Sequence, residues 1–329
     1  MNFNITRAAH AEILVSDLGR SRHFYVEALG MLEIERGHDC IYLGGLEERD
    51  KYSLILRKAE SAGLGHMAFR VAETDDLNKI FKACEGKNLP RSWIPANYLE
   101  NGQGVALRIQ DPSGLPIEFY HDIEQRKRQL RNYDRYHGAN IMRIDHFNVQ
   151  VSEVHAAYEW WTKTLDFQCS EYIVSKEDTN KLWGAWLHRK QNVHDIAIMS
   201  GVGPRFHHVG FWVQNELSII HACDILASMG MSKSIERGPG RHGLSNAFFL
   251  YLRDPDGNRI ELFHGDYMIT DPDFKPEKWD KTDSQMGTFW GQQAPKSWFE
   301  EASLVKNIYT ADFMPIAEPV VKDRPEFVI

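Results

Sequence analysis

Three residues far apart in this chain are of the types that hold a transition metal. His146, His208 and Glu261 each lie in a short run where apolar residues alternate, the pattern of a half-buried strand. Two neutral imidazoles and one carboxylate, with other positions open, suit a mononuclear non-haem Fe(II) centre. Such a centre leaves one face of the ion free, so that an organic substrate and O2 can bind side by side. The alternative for any one of them is a strand histidine satisfied by hydrogen bonds. The same three types recur earlier, as His10, His66 and Glu118.

That recurrence belongs to a longer repeat. The segment "AHAEILVSDLGRSRHFYVEALGM" aligns with "DHFNVQVSEVHAAYEWWTKTLDF", placing His10 on His146 and Leu29 on Leu165 at one constant offset. Downstream, "GLGHMAFRV" aligns with "RFHHVGFWV", and "LRIQDPSGLPIEFY" with "LYLRDPDGNRIELF". These pairs set His66 on His208 and Glu118 on Glu261. The chain is thus a duplicated unit followed by a tail. Each unit repeats again within itself, since a strand opens at His10, His66, His146 and His208. After each comes a segment of helical period, with Ser16 and Ser152 predicted as N-caps. "DPSG" and "DPDG" are turns between later strands. The pattern predicts β-α-β-β-β, four times over. The fold class is α+β, in tandem modules that form curved mixed sheets around a cavity. The predicted organisation is 1–122, a connection over 123–140, 141–268, and a tail over 269–329 packed on the second unit. The basic run Arg126-Lys127-Arg128 is read as a solvated helix face flanked by acids.

Composition bounds the function. Against 38 Lys+Arg stand 46 Asp+Glu, a net charge of -8, which argues against broad nucleic-acid or anionic-lipid binding. The longest apolar run, "AFFLYL", is far too short for a membrane-spanning helix. The N-terminus shows no apolar secretory segment. Four scattered cysteines, Cys40, Cys84, Cys169 and Cys223, form no CxxC pair. They fit a reducing cytoplasm better than a disulfide framework.

The motifs "DHFNVQV", "HHVGFWV" and "DPDGNRIELF" resemble the vicinal oxygen chelate superfamily. With "VHDIAIMSGVGPRFHHV" and "IERGPGRHGLSNAFFLYLRDPDGNRIEL", the chain is more narrowly similar to type I extradiol dioxygenases of the homoprotocatechuate and catechol 2,3-dioxygenase branch. The resemblance implies Fe(II), or Mn(II) as in some relatives, bound by His146, His208 and Glu261. It implies a catechol opened beside its diol by O2, giving a muconic semialdehyde. His194 matches the family's acid/base and His242 a histidine that hydrogen-bonds substrate. Tyr251 matches a phenol that contacts a substrate oxygen, and Asn148 lines the O2 side. Trp186 and Arg237 match walls of the pocket. A homotetramer is also implied. The first unit of the family carries no metal, yet here His10, His66 and Glu118 keep all three ligand types. Around them Glu12 stands in the place of Asn148 and Leu99 near that of His242, and nothing around Tyr52 matches His194.

Relatives that take an arylacetate place an Arg-Arg pair in the tail, before an aromatic pair and Gly. In this chain that place reads "SQMGTFWG", with Met286 and Gly287. A carboxylate in a pocket wants bidentate arginine. The expected substrate is therefore catechol or a neutral substituted catechol, with Met286 and Phe289 supplying apolar contact. Arg237 keeps 3,4-dihydroxyphenylacetate open as the alternative. More distant are a glyoxalase-type isomerase, which needs four protein ligands, and a ligand-sequestering protein, which lacks a complete triad.

Overall fold

The computed structural model describes residues 3–323; residues 324–329 of the predicted tail lie outside the described residues. The first module comprises β1 (Ile5–Val15), α1 (Leu18–Arg22, widened over His23–Ala28), β2 (Leu32–Arg36), β3 (Cys40–Gly44) and β4 (Leu54–Lys58). The second comprises β5 (Gly63–Val71), α2 (Thr74–Glu85), β6 (Arg91–Ile94), β7 (Ala106–Gln110) and β8 (Pro116–Tyr120). The third comprises β9 (Ile141–Val151), α3 (Val154–Lys163), β10 (Gln168–Val174), β11 (Leu182–His188) and β12 (Ile196–Ser200). The fourth comprises β13 (Arg205–Val213), α4 (Glu216–Ser228), β14 (Ile235–Arg241), β15 (Phe248–Arg253) and β16 (Arg259–His264). The four-fold β-α-β-β-β order is the one the repeat predicts.

The pairing of these strands positions the site. One sheet runs β2-β3-β4-β1-β5-β8-β7-β6, and the other has β10-β11-β12-β9-β13-β16-β15-β14 at its centre. In each sheet the two opening strands lie antiparallel in the middle. The closing strand of each module then pairs parallel to its own opening strand. Histidines on opening strands and a glutamate on a closing strand become neighbours twice over. Phe69 of the first unit packs edge-on against Phe147, Trp161 and Phe167 of the second, so one apolar core joins the units.

Local chemistry explains the boundaries and corrects three expectations. The caps of α1 and α3 are Asp17 and Glu153, each one residue after the predicted serine. A carboxylate there accepts from the first turn and complements the helix dipole. Ser16 instead hydrogen-bonds Asp256 in the "DPDG" turn of the other unit. Gly114 and Gly257, at φ +92° and +86°, close the two DPxG turns as expected. The run at 126–128 is not helical: the connection is extended, bridging Asp50 at Gln125 and Gln103 at Ile123. Arg126 is no solvated charge, for it donates to the Asp50 and Gly45 carbonyls.

The tail adds β17 (Glu277–Trp279) to β10, then forms α5 (Ser284–Gly287), β18 (Trp290–Gly291) against β14, α6 (Lys296–Glu300) and β19 (Ser303–Leu304) against β13. It does not stay on the second unit. Lys306 N–H donates to the Leu64 carbonyl, and the Tyr309 hydroxyl meets the Arg91 backbone. Among the described residues no helix is long and apolar enough to cross a membrane. All four cysteines are unpaired.

Candidate metal centre and substrate cavity

His146 on β9 and Glu261 on β16 flank the same residue of β13, Gly210, in register on either side. His208 lies two residues earlier on β13, on the same face. The Nε2 atoms of His146 and His208 stand 2.9 and 3.2 Å from Glu261 Oε2. All three side chains are buried. Gly210 makes room for this. A Cβ at that position would lie 2.2 to 2.6 Å from atoms of the His146 ring. Gly210→Ala is expected to turn that ring away and weaken metal binding by about 10- to 100-fold, the range found when support of a ligand is lost. A metal titration of the folded variant checks this; unchanged affinity would refute the packing account.

Hydrogen bonds assign the nitrogen that each histidine offers. His207 Nε2–H donates to the Trp298 carbonyl at 2.8 Å, so its Nδ1 accepts from His208 Nδ1–H at 2.7 Å. His208 is left with a bare Nε2 lone pair aimed at Glu261. Burial, ahead of the opposing pull of Glu261, lowers its pKa to about 4, so no second proton fills the gap near neutral pH. A lone pair facing a buried carboxylate at 3.2 Å is repulsive until a cation stands between them. The residues present therefore fit a divalent ion. His146 Nδ1–H points at Asp145 Oδ2, 3.2 Å away. Asn192 holds that carboxylate in turn. Burial resists charging His146, but Asp145 and Glu261 outweigh it and raise its pKa to about 9. Without a metal, a proton occupies the place of the cation.

A cavity of about 860 Å³, mouth included, opens beside the triad. Asn148, Trp186, His194, Arg237, His242 and Tyr251 all line it. His194 lies against His146 at a tilt of 40°, with ring centroids 4.0 Å apart, and its Nδ1 is buried without a partner. Burial first, then the charge of His146, pushes its pKa well below the ordinary value. Neighbouring Asp195 is no partner of His194. It accepts from the backbone N–H groups of Ala8 and Arg189 and from Lys190 Nζ, fixing the loop. His242 Nδ1–H donates to the Gly287 carbonyl at 2.6 Å, and its Nε2 accepts from the Tyr251 hydroxyl at 2.8 Å. Tyr251 is in register with Glu261 on β16. Asn148 pairs in register with His208, its Oδ1 buried and unpartnered. Trp186, with Trp183, Ile173 and Met199, forms an apolar wall.

Arg237 donates to the Gly287 carbonyl and to Thr288 Oγ1, at 2.8 and 2.7 Å. Its guanidinium lies over the Phe249 and Trp298 rings. Met286 lines the cavity, but Phe289 does not: it is 53 % exposed, so its expected substrate contact is corrected. The tail strand β18 turns it outward. Sequence reading missed Trp298, which packs on Tyr251 at 4.2 Å, and the orienting partners His207 and Asp145. Both of those stand beside a ligand in sequence, a signal that was available. Trp298 carries no such signal.

Comparison with known proteins agrees with this arrangement. The model of the Glyoxalase/Bleomycin resistance protein/Dioxygenase superfamily matches residues 7–119 and 143–262. The chain is 32 % identical, over 88 % of its length, to a manganese-dependent 2,3-dihydroxybiphenyl 1,2-dioxygenase from Geobacillus genomosp. 3, covering 95 % of that protein. To a metapyrocatechase from Geobacillus stearothermophilus it is 30 % identical, over 90 % of this chain and 93 % of the relative. It superposes on a substrate complex of homoprotocatechuate 2,3-dioxygenase from Brevibacterium fuscum with a TM-score of 0.91, at 37 % identity, covering 96 % and 97 % of the two chains. For the homoprotocatechuate 2,3-dioxygenase from Arthrobacter globiformis the TM-score is 0.90, at 37 % identity, covering 95 % and 96 %. Repeat, sheet pairing, buried triad and these likenesses all lead to one assignment: the chain belongs to the vicinal oxygen chelate family, among its extradiol ring-cleaving dioxygenases.

Proposed function

We propose that this chain cleaves a neutral catechol, plain or carrying an apolar substituent, with O2, at a metal held by His146, His208 and Glu261. The apolar wall over the triad carries the reading. Ile173, Trp186, Met199, Leu244 and Met286 line the cavity. Met286 and Gly287 occupy the place where an arginine pair would meet a carboxylate. Fe(II) or Mn(II) in this donor set would supply a Lewis acid for the diol oxygens and a redox centre for O2.

The chain's own groups do the rest. His194 Nδ1, uncommitted and kept neutral by burial, takes the proton that a catechol loses on binding, and later returns it. Tyr251 and His242 form a hydrogen-bonded pair, and with its proton held by His242 the phenol oxygen can accept from a substrate hydroxyl entering beside it. Asn148 offers a buried amide on the opposite side of His208. Trp186 and Trp298 exclude water.

One observation favours a second reading. Among the described residues Arg237 forms no ion pair, and burial lowers its pKa to about 10. A substrate carboxylate would satisfy it, as in 3,4-dihydroxyphenylacetate. O2 uptake decides, using protein reconstituted anaerobically with Fe(II) or Mn(II) in separate samples. The expected result is uptake stoichiometric with a yellow product. Alkyl- and phenylcatechols should exceed 3,4-dihydroxyphenylacetate in kcat/KM by about tenfold or more, the scale of one or two well-placed apolar contacts. A tenfold preference for the acid would transfer the assignment to the second reading. No uptake with any diol would remove the dioxygenase activity.

A further inference from the structure

The first unit builds the ligand triad a second time. His10 on β1, His66 on β5 and Glu118 on β8 converge with every side chain buried. The two Nε2 atoms are 3.0 Å apart, and Glu118 Oε1 is 3.6 and 3.7 Å from them. Both Nδ1 atoms are buried without partners. One difference from the second unit bears directly on the carboxylate. In register with Glu118 on β7 stands Arg108, where Tyr251 stands beside Glu261. Arg108 donates to Glu118 Oε2 and also to Glu100.

We infer that His10, His66 and Glu118 form a latent divalent-cation site, kept closed because Arg108 supplies the positive partner from within the chain. Charge decides this. The cluster holds the carboxylates of Glu12, Glu100 and Glu118 against the guanidiniums of Arg57 and Arg108. Three carboxylates against two guanidiniums leave the cluster within one charge of balance. A divalent ion added to it would leave buried excess positive charge. Without Arg108, the carboxylates face Arg57 alone, and a divalent ion restores the balance. A buried carboxylate stripped of its partner is strongly destabilising, so the vacated site favours any cation that fits. Imidazole and carboxylate donors select Mn(II), Fe(II) or Zn(II). The Arg108 side chain is 14 % exposed, so its removal opens a path from solvent. Ala68, in register with His10, adds a methyl that Gly210 omits beside His146.

The test uses the full chain loaded with Mn(II), in Arg108→Gln and in the double variant Arg108→Tyr with Ala68→Gly. Metal per chain is measured after equilibration with Mn(II), and thermal midpoints are compared with and without added ion. Wild type is expected to hold one Mn(II). At least one variant is expected to hold two and to gain a Mn(II)-dependent rise in midpoint beyond that of wild type. Adding His66→Ala should return it to one. O2 uptake with catechol, which reads the other site, reports that the fold survives. One Mn(II) in both folded variants would overturn the inference, as would a wild type holding two and losing one with His66→Ala. If neither variant folds without metal, refolding in Mn(II) supports the inference, and failure to refold in it overturns it.

Discussion

Glu261→Gln is expected to abolish stable metal binding and to lower kcat/KM by about 10³-fold or more, since the site then lacks its Lewis acid. The change is nearly isosteric, so its effect is one of charge. In the empty wild-type site, the carboxylate faces the bare Nε2 of His208 at 3.2 Å and is matched only by a proton on His146. The amide side chain removes that anion and can donate to the same lone pair. The metal-free variant should therefore be at least as stable as the metal-free wild type. Wild type gains about 2.7 kcal/mol when free metal is 100 times its Kd; the variant gains nothing. His146 must also give up a proton to the entering ion. Its pKa is raised in the empty site, so apparent metal affinity of wild type falls as pH drops below about 9, by about tenfold per unit. Metal analysis and thermal melts at several pH values measure all three effects. A variant that keeps one metal per chain and activity within tenfold would remove Glu261 from the ligand set.

Why the triad was legible in the sequence, and its supports were not, follows from the fold. Duplication placed His10 over His146 and Glu118 over Glu261 without any structure, because a strand in a repeated module must keep its face. Parallel pairing of each closing strand with its own opening strand then brings these residues together. The groups that orient them come from other places. Trp298 arrives from a tail without periodicity, and its carbonyl sets the tautomer of His207 and so of His208. Phe289 failed as a pocket residue because adjacency in sequence to Met286 does not survive the turn into β18. The caps missed by one residue because serine and an acid stand side by side, and both can accept from a helix N-terminus. Arg126 looked like surface charge, but the carbonyls of the buried residues Gly45 and Asp50, in the loop before β4, needed a donor.

His194→Ala is expected to lower kcat by about 10²-fold or more while one metal per chain remains, the range for loss of a positioned acid/base. The choice of His194 rests on elimination among the cavity histidines. Both nitrogens of His242 are committed, one to the Gly287 carbonyl and one to the Tyr251 hydroxyl. The free nitrogens of His146 and His208 point at Glu261. Asp145 and Asp195 are held by donors. Of the cavity histidines, His194 alone combines a buried, unpartnered Nδ1 with no bond to the triad. Its depressed pKa keeps it neutral through the physiological range, ready to accept. The pH profile separates a proton role from a packing role. In wild type, protonation of His194 sets an acidic limb well below the ordinary histidine value of about 6.5. Without it, the substrate must reach the site already ionised, so kcat/KM should climb about tenfold per pH unit up to the first pKa of the catechol. His194→Asn, which keeps a polar group of similar bulk but cannot titrate, should show the same slope. Added imidazole should restore part of the rate in His194→Ala alone, where the ring has left a space. A fall in rate with an unchanged pH profile and no imidazole rescue would make His194 a packing residue for His146 and pass the proton to Asp266, which lines the cavity with a buried, unpartnered Oδ2.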